Sequence, residues 1–258
     1  MFRGMSEPPA FSDSRLPLFS GAPVAGAAPG KAAQAPSYIR DHRRRLRERF
    51  IAGGAEAIPD YEMLELVLFR AIPRRDVKPV AHALLARFGD FASVLSAPAE
   101  QLCEVAGSGP SVVTELRIVE AAAHRLAQSR VMGRPVISSW TALIAYCRAS
   151  MAHRGTEQFR VFYLDRKNVL IADEEQARGT VDHVPVYPRE VVKRALLLDA
   201  SALILAHNHP SGDPTPSQAD ITMTAEVARA AEALGLVLHD HVIIGKSAET
   251  SLRADGYL

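Results

Sequence analysis

The sequence predicts an α/β domain, a mixed sheet flanked by helices, preceded by a small all-α domain. Three observations carry this. No convincing strand precedes residue 131, while apolar residues recur there at helical spacing. After MGRP, 132–135, stretches with strand and helix patterns interleave. ALILAH, 202–207, is an unbroken apolar run of the kind a buried central strand needs.

Residues 1–36 are dominated by Pro, Ala, Gly and Ser without apolar periodicity, so burial there cannot offset ordering and a mobile tail is expected. DHRRRLRERF, 41–50, is abruptly basic and opens a helical region. In 61–72, Met63, Leu64, Val67 and Leu68 share a helix face, and Pro73 ends it. Two short helices follow, with Gly89 at a C-cap and Pro98 ending the second. QLCEVAGSGPSVVTELRIVEAAAHRLAQ then reads as helix, tight turn, helix.

Beyond the boundary, Ser138 or Ser139 is placed to cap a helix running to about Ser150. QFRVFYLD, 158–165, alternates as a strand, and Lys167–Asn168 turns it into the hairpin partner VLIADEEQAR. REVVKRALLLDA is an amphipathic helix, Ser217 to Leu234 is helical up to Gly235, and LVLHDHVIIG is a closing strand. The expected domains are 37–130 and 131–258, after the 1–36 tail.

The chain has 258 residues, enough for proper cores, with 48% hydrophobic and 23% charged residues, a soluble globular profile. Its net charge of +1 provides no global field for nucleic acid or membrane, so any such affinity must be local. Cys103 and Cys147 form no CxxC and read as thiols in a reducing compartment. No run approaches the roughly 20 apolar residues of a membrane span, and a secretory signal is missing at the N-terminus. A cytoplasmic protein without membrane contact is expected.

The chemistry concentrates in LILAHNHPSGDPTPSQAD, 203–220. Strand alternation turns His207 and His209 to one side and Asn208 to the other. Alone, such a pair fits two histidines satisfied by loop hydrogen bonds as well as half a zinc site. Pro210, Gly212, Pro214 and Pro216 force a tight return, and Ser217 and Asp220 then stand at a helix start. That S-x-x-D pattern also fits a plain cap. A cap leaves the histidines unexplained, whereas a metal accounts for all four residues. His207, His209 and Asp220 as ligands leave one tetrahedral position open, the arrangement of catalytic rather than structural zinc. One zinc per chain is expected. The string HNH does not make a nuclease, whose residues span a longer unit, and the H-x-E and PCxxC of zinc deaminases are missing.

His207-x-His209-Pro210, six residues, Ser217, two residues and Asp220 match the JAMM (MPN-plus) metalloprotease signature at every fixed position. AHNHPSGDPTPSQAD, with YPREVVKRAL before it and DHVIIG after it, resembles the bacterial RadC family, over about 131–258 and the helical half 38–130 as well. The resemblance implies a cytidine-deaminase-like α/β domain that hydrolyses a peptide or isopeptide bond in a peptide or protein substrate. It implies Glu157 as the acid–base group, with Glu174 and Glu175 as alternatives, and Ser217 as a donor to the oxyanion.

Two further features remain. His239 and His241 share a strand face and form a rival pair, although no third ligand follows; a core-polar or supporting role is favoured, with Asp240 orienting a ligating imidazole. EVAGSGPSVVTEL, 104–116, resembles a helix-hairpin-helix element, whose GxG turn offers amides to a phosphate, but Ser108 replaces the usual apolar residue and Pro110 removes a donor. Weak DNA contact there, helped by the arginines of 43–49, stands beside a plain helical hairpin. It supports the alternative function, a DNA-repair or recombination accessory with a structural or idle zinc domain. Arg189 and Glu190 read as surface charges.

Overall fold

A computed structural model of the chain describes residues 37–178 and 186–258. The tail expected over 1–36 lies outside the described residues. These described residues belong to one compact unit.

The helical half begins with α1 (Ser37–Gly53) and α2 (Asp60–Ala71). Arg43 of α1 is buried, and its guanidinium donates to the carbonyls of Ile72, Pro73 and Arg75 at 2.5, 2.8 and 2.8 Å. It thereby satisfies carbonyls of the turn that follows α2. In α3 (Lys78–Phe88) Pro79 sits in the first turn, and Gly89 follows at φ 98°, the left-handed region glycine tolerates. Asp90 caps α4 (Phe91–Ser96) by accepting from the Ser93 amide at 2.7 Å. The short α5 (Ala99–Cys103) leads through Gly107 to α6 (Pro110–Ser129). Gly107 has φ 83°, and a Cβ there would meet Val80 Cγ2 at 2.8 Å, so the turn requires glycine. Leu64, Leu68, Leu84, Val94, Leu102 and Leu116 are fully buried in this half's core.

A 3-10 turn over Ile137–Ser139 leads into α7 (Trp140–Met151). Ser139 occupies the cap position, but neither serine caps. Both hydroxyls donate back to the Pro135 carbonyl, because the 3-10 turn brings that acceptor within reach. β1 (Gln158–Leu164) and β2 (Leu170–Arg178) form the expected hairpin. Its turn is held by Asp165, which accepts from the Lys167 and Val169 amides, with Asn168 at φ 58°. Then come α8 (Pro188–Leu197), β3 (Ala202–Asn208), α9 (Gln218–Glu232), β4 (Val237–Ile244) and β5 (Glu249–Ser251).

The sheet order is β2-β1-β3-β4-β5. β3 and β4 are parallel and joined by α9; the other neighbours pair antiparallel. β3 is central and buried at every residue, as its unbroken apolar run requires. Tyr146, Cys147 and Met151 of α7 pack against Phe162, Ile204 and Val242 on one face. Val191 and Ala195 of α8 and Val227 and Ala231 of α9 pack against Val161, Leu203 and Leu205 on the other. The result is a mixed sheet flanked by helices. Among the described residues, no helix is long and apolar enough to cross a membrane.

β4 carries a bulge. Leu203 pairs with Leu238 and Ile204 with Asp240, so His239 has no opposite residue. β5, three polar residues long, had no apolar pattern to announce it.

Candidate metal centre

The site forms where β3 ends. His207 is fully buried on the α8/α9 side of the sheet, its ring stacked near Phe159 at 6.2 Å between centroids. Asn208 points back, as alternation demands. Its Oδ1 accepts from the Gln158 amide at 2.9 Å and its Nδ2 donates to the Thr156 carbonyl at 3.2 Å. These two bonds fasten the segment bearing Glu157 beside the histidines.

His209 lies one residue past the strand, and its amide still donates to the Ile244 carbonyl at 3.0 Å. The return loop rests on the end of β4. A Cβ on Gly245 would meet the Gly212 carbonyl oxygen at 2.4 Å and Pro214 Cδ at 3.0 Å, so the loop approaches that backbone as closely as glycine permits. Ser217 then caps α9 in a capping box: its hydroxyl accepts from the Asp220 amide, and its own amide donates to Asp220 Oδ2 at 2.8 Å.

Strand end, loop and helix start together bring His207, His209 and Asp220 close, with one donor atom of each within 4.8 Å of the others. The two Nε2 atoms are 3.0 Å apart. Asp220 Oδ1 lies 3.3 Å from His207 Nε2, and Oδ2 lies 3.6 Å from His209 Nε2. His209 Nδ1 is 2.8 Å from the Asp213 carbonyl, which can only accept, so this nitrogen carries the proton and a neutral ring presents its Nε2 lone pair inward. Burial opposes the charge on Asp220, but the adjacent His207 and His209 rings hold its carboxyl well below the usual range. The Asp220 carboxylate in turn raises His209. Two imidazole nitrogens and an ionised carboxylate facing one point fit a divalent ion, and they are the ligand types of a catalytic zinc.

Glu157 Oε1 lies 3.9 Å from His207 Nε2, with only 13% of the side chain exposed. The two alternative glutamates are engaged elsewhere: Glu174 takes a two-pronged bond from Arg194 of α8, and Glu175 accepts from Gln158 Nε2 at 2.5 Å. Ser217 is at the rim, and its hydroxyl donates to Asp220 Oδ2 at 2.7 Å.

The rival pair does not converge. The bulge separates its two rings: His239 Nε2 is 2.7 Å from Asn168 Oδ1, whereas His241 lies behind His207. Nor does Asp240 orient a ligating imidazole. It accepts from the His241 and Arg253 amides and the Ser251 hydroxyl, tying β4 to the chain's end. The residue the sequence left ambiguous is His241, whose Nε2 is 2.8 Å from His207 Nδ1 and whose Nδ1 is 2.5 Å from Thr224 Oγ1. Burial pushes its imidazole well below the ordinary value, keeping it neutral. Thr224 follows Asp220 by four residues, one helical turn, which is the spacing that would have exposed the connection.

In the basic stretch, Arg43 is structural, Arg47 lies over the Phe69 ring and Arg49 pairs with Glu62. Arg189 and Glu190 are surface charges.

Residues 137–257 match the family model described as RadC-like JAB domain, and residues 40–114 match the one described as UPF0758 N-terminal. A UPF0758 protein of Ruegeria pomeroyi is 74% identical over 223 residues, covering 86% of this chain and 100% of that protein. A UPF0758 protein of Rhodobacter capsulatus is 73% identical over 213 residues, covering 83% of this chain and 100% of its own. With both halves matched and the relatives covered end to end, the chain belongs to the RadC family of UPF0758 proteins.

Proposed function

We propose that the chain is a zinc-dependent hydrolase of the JAMM class, acting on a peptide or isopeptide bond. One zinc would be held by His207, His209 and Asp220. The observation that carries this is the convergence of two Nε2 atoms and an ionised carboxylate beside a partly buried glutamate. Zinc bound there supplies Lewis acidity, polarising a scissile carbonyl and lowering the pKa of a nearby water.

Glu157 provides the acid–base group. Its carboxylate, fastened in place through Asn208, takes a proton from the attacking water and delivers it to the departing amine. Ser217 holds Asp220 through its hydroxyl at rest and is placed at the rim to turn that hydrogen toward a developing oxyanion. Metal analysis followed by a proteome-wide search for cleaved substrates tests the reading. Glu157→Gln should keep its zinc and lose about 10²–10⁴-fold in turnover. A variant as active as the parent would move the base away from Glu157. Failure of the metal-loaded parent to cut anything would favour the accessory role.

That second reading, DNA contact by the helical half, is supported by the α5–turn–α6 hairpin and its obligatory Gly107. It also has fewer arginines to draw on than the sequence suggested, because Arg43 is spent on the end of α2.

A further inference from the structure

A chain of hydrogen bonds runs from the backbone of α9 to the buried side of His207, and each proton in it can be assigned. The Asp220 carbonyl can only accept, and it lies 2.6 Å from Thr224 Oγ1, so the threonine's single hydroxyl hydrogen points there. Thr224 Oγ1 must then accept from His241 Nδ1, 2.5 Å away. His241 is fully buried, with Phe159 against its ring, and its neutral form has a single N–H. With that hydrogen on Nδ1, Nε2 is an acceptor. It accepts from His207 Nδ1 at 2.8 Å. His207 Nε2 is therefore left without a hydrogen, on the side where Asp220 and His209 stand.

From this order we infer that His241 and Thr224 are positioning residues that lock His207 in its Nδ1–H tautomer and so present Nε2 as a permanent metal donor. The inference rests on the metal site proposed above, but its first test does not. The chain is anchored at both ends in one helix turn: Asp220 supplies a ligand through its side chain and the terminal acceptor through its carbonyl. Ligand and tautomer lock are thus set by the same turn of α9. Outer-shell partners of ligating histidines typically contribute 10–100-fold to metal affinity.

Long-range 1H–15N spectra of metal-free, 15N-histidine-labelled protein at pH 8, assigned with His207 and His241 variants, read the tautomers directly. Both rings should carry hydrogen on Nδ1. A His207 ring protonated at Nε2 in the parent would overturn the inference, whether or not the protein binds zinc. Zinc binding is measured separately, by competition with a chromophoric chelator. Thr224→Val removes the acceptor for His241 Nδ1 and should weaken zinc about 10–100-fold. Thr224→Ser keeps the hydroxyl and should restore it. A valine variant with parental affinity and tautomers would contradict the lock; a parent that binds no zinc would sink the proposed function alone.

Discussion

Asp220 uses its two oxygens differently. Oδ2 receives the Ser217 amide and hydroxyl, and Oδ1 faces His207. Ser217→Ala therefore separates two roles. Loss of the cap should cost about 1 kcal/mol in melting experiments and leave the rate per folded molecule unchanged. An oxyanion role would instead cost roughly 10²–10³ in kcat with zinc retained. The proposed assignment predicts both losses together. His209 adds a pH dependence. The neighbouring Asp220 carboxylate raises its pKa above the ordinary imidazole value, and a ligand must shed that proton to bind metal. Zinc affinity should consequently fall as pH drops through the raised His209 pKa, starting at a higher pH than an unperturbed histidine would give. Chelator competition at stepped pH checks the sign; affinity that stayed flat through that window would remove His209 from the ligand set.

Elements decide which residues meet. β3 was legible because a strand buried on both faces reads as an unbroken apolar run, and alternation then places His207 and Asn208 on opposite sides. The Ser217–Asp220 capping box was equally legible, since its spacing is local. The bulge at His239 was not: no glycine or proline marks it, and it follows from how β4 pairs with β3. Arg43 was hidden in a charge run that reads as a solvated face, and only the carbonyls at the end of α2 single it out. Arg43→Met should cost about 2–3 kcal/mol by leaving those acceptors unpaired, visible as a Tm lowered by roughly 5–10 °C. An unchanged Tm would mean water replaces the guanidinium without loss. Gly245→Ala tests the loop's seat. Its methyl group would collide with the Gly212 carbonyl, so about 1–3 kcal/mol of overpacking is expected. Zinc affinity should drop with it, because the displaced loop carries His209 and Asp220 away from His207. Parental zinc affinity in that variant would show that the loop adapts.

At the scale of the whole molecule, the helical half and the sheet meet along α6 and α7. Arg154 pairs with Glu120 at 2.9 Å, and the His124 ring reaches the Ala149 carbonyl at 2.7 Å. If the helical half touches DNA, neutralised phosphates release counterions, so weak, sequence-independent binding should fall steeply with added salt. Substituting Arg44 and Arg45 together should flatten that slope without lowering Tm, in contrast to Arg43→Met. Binding indifferent to salt, or no binding at low salt, would leave the hairpin as scaffold. The central claim is the metal centre, and it is tested most directly by elemental analysis of purified protein beside the His207→Ala, His209→Ala double variant. The parent should carry one zinc per chain and the variant none, with both folded by circular dichroism. A double variant that kept stoichiometric zinc would place the metal elsewhere and contradict the account.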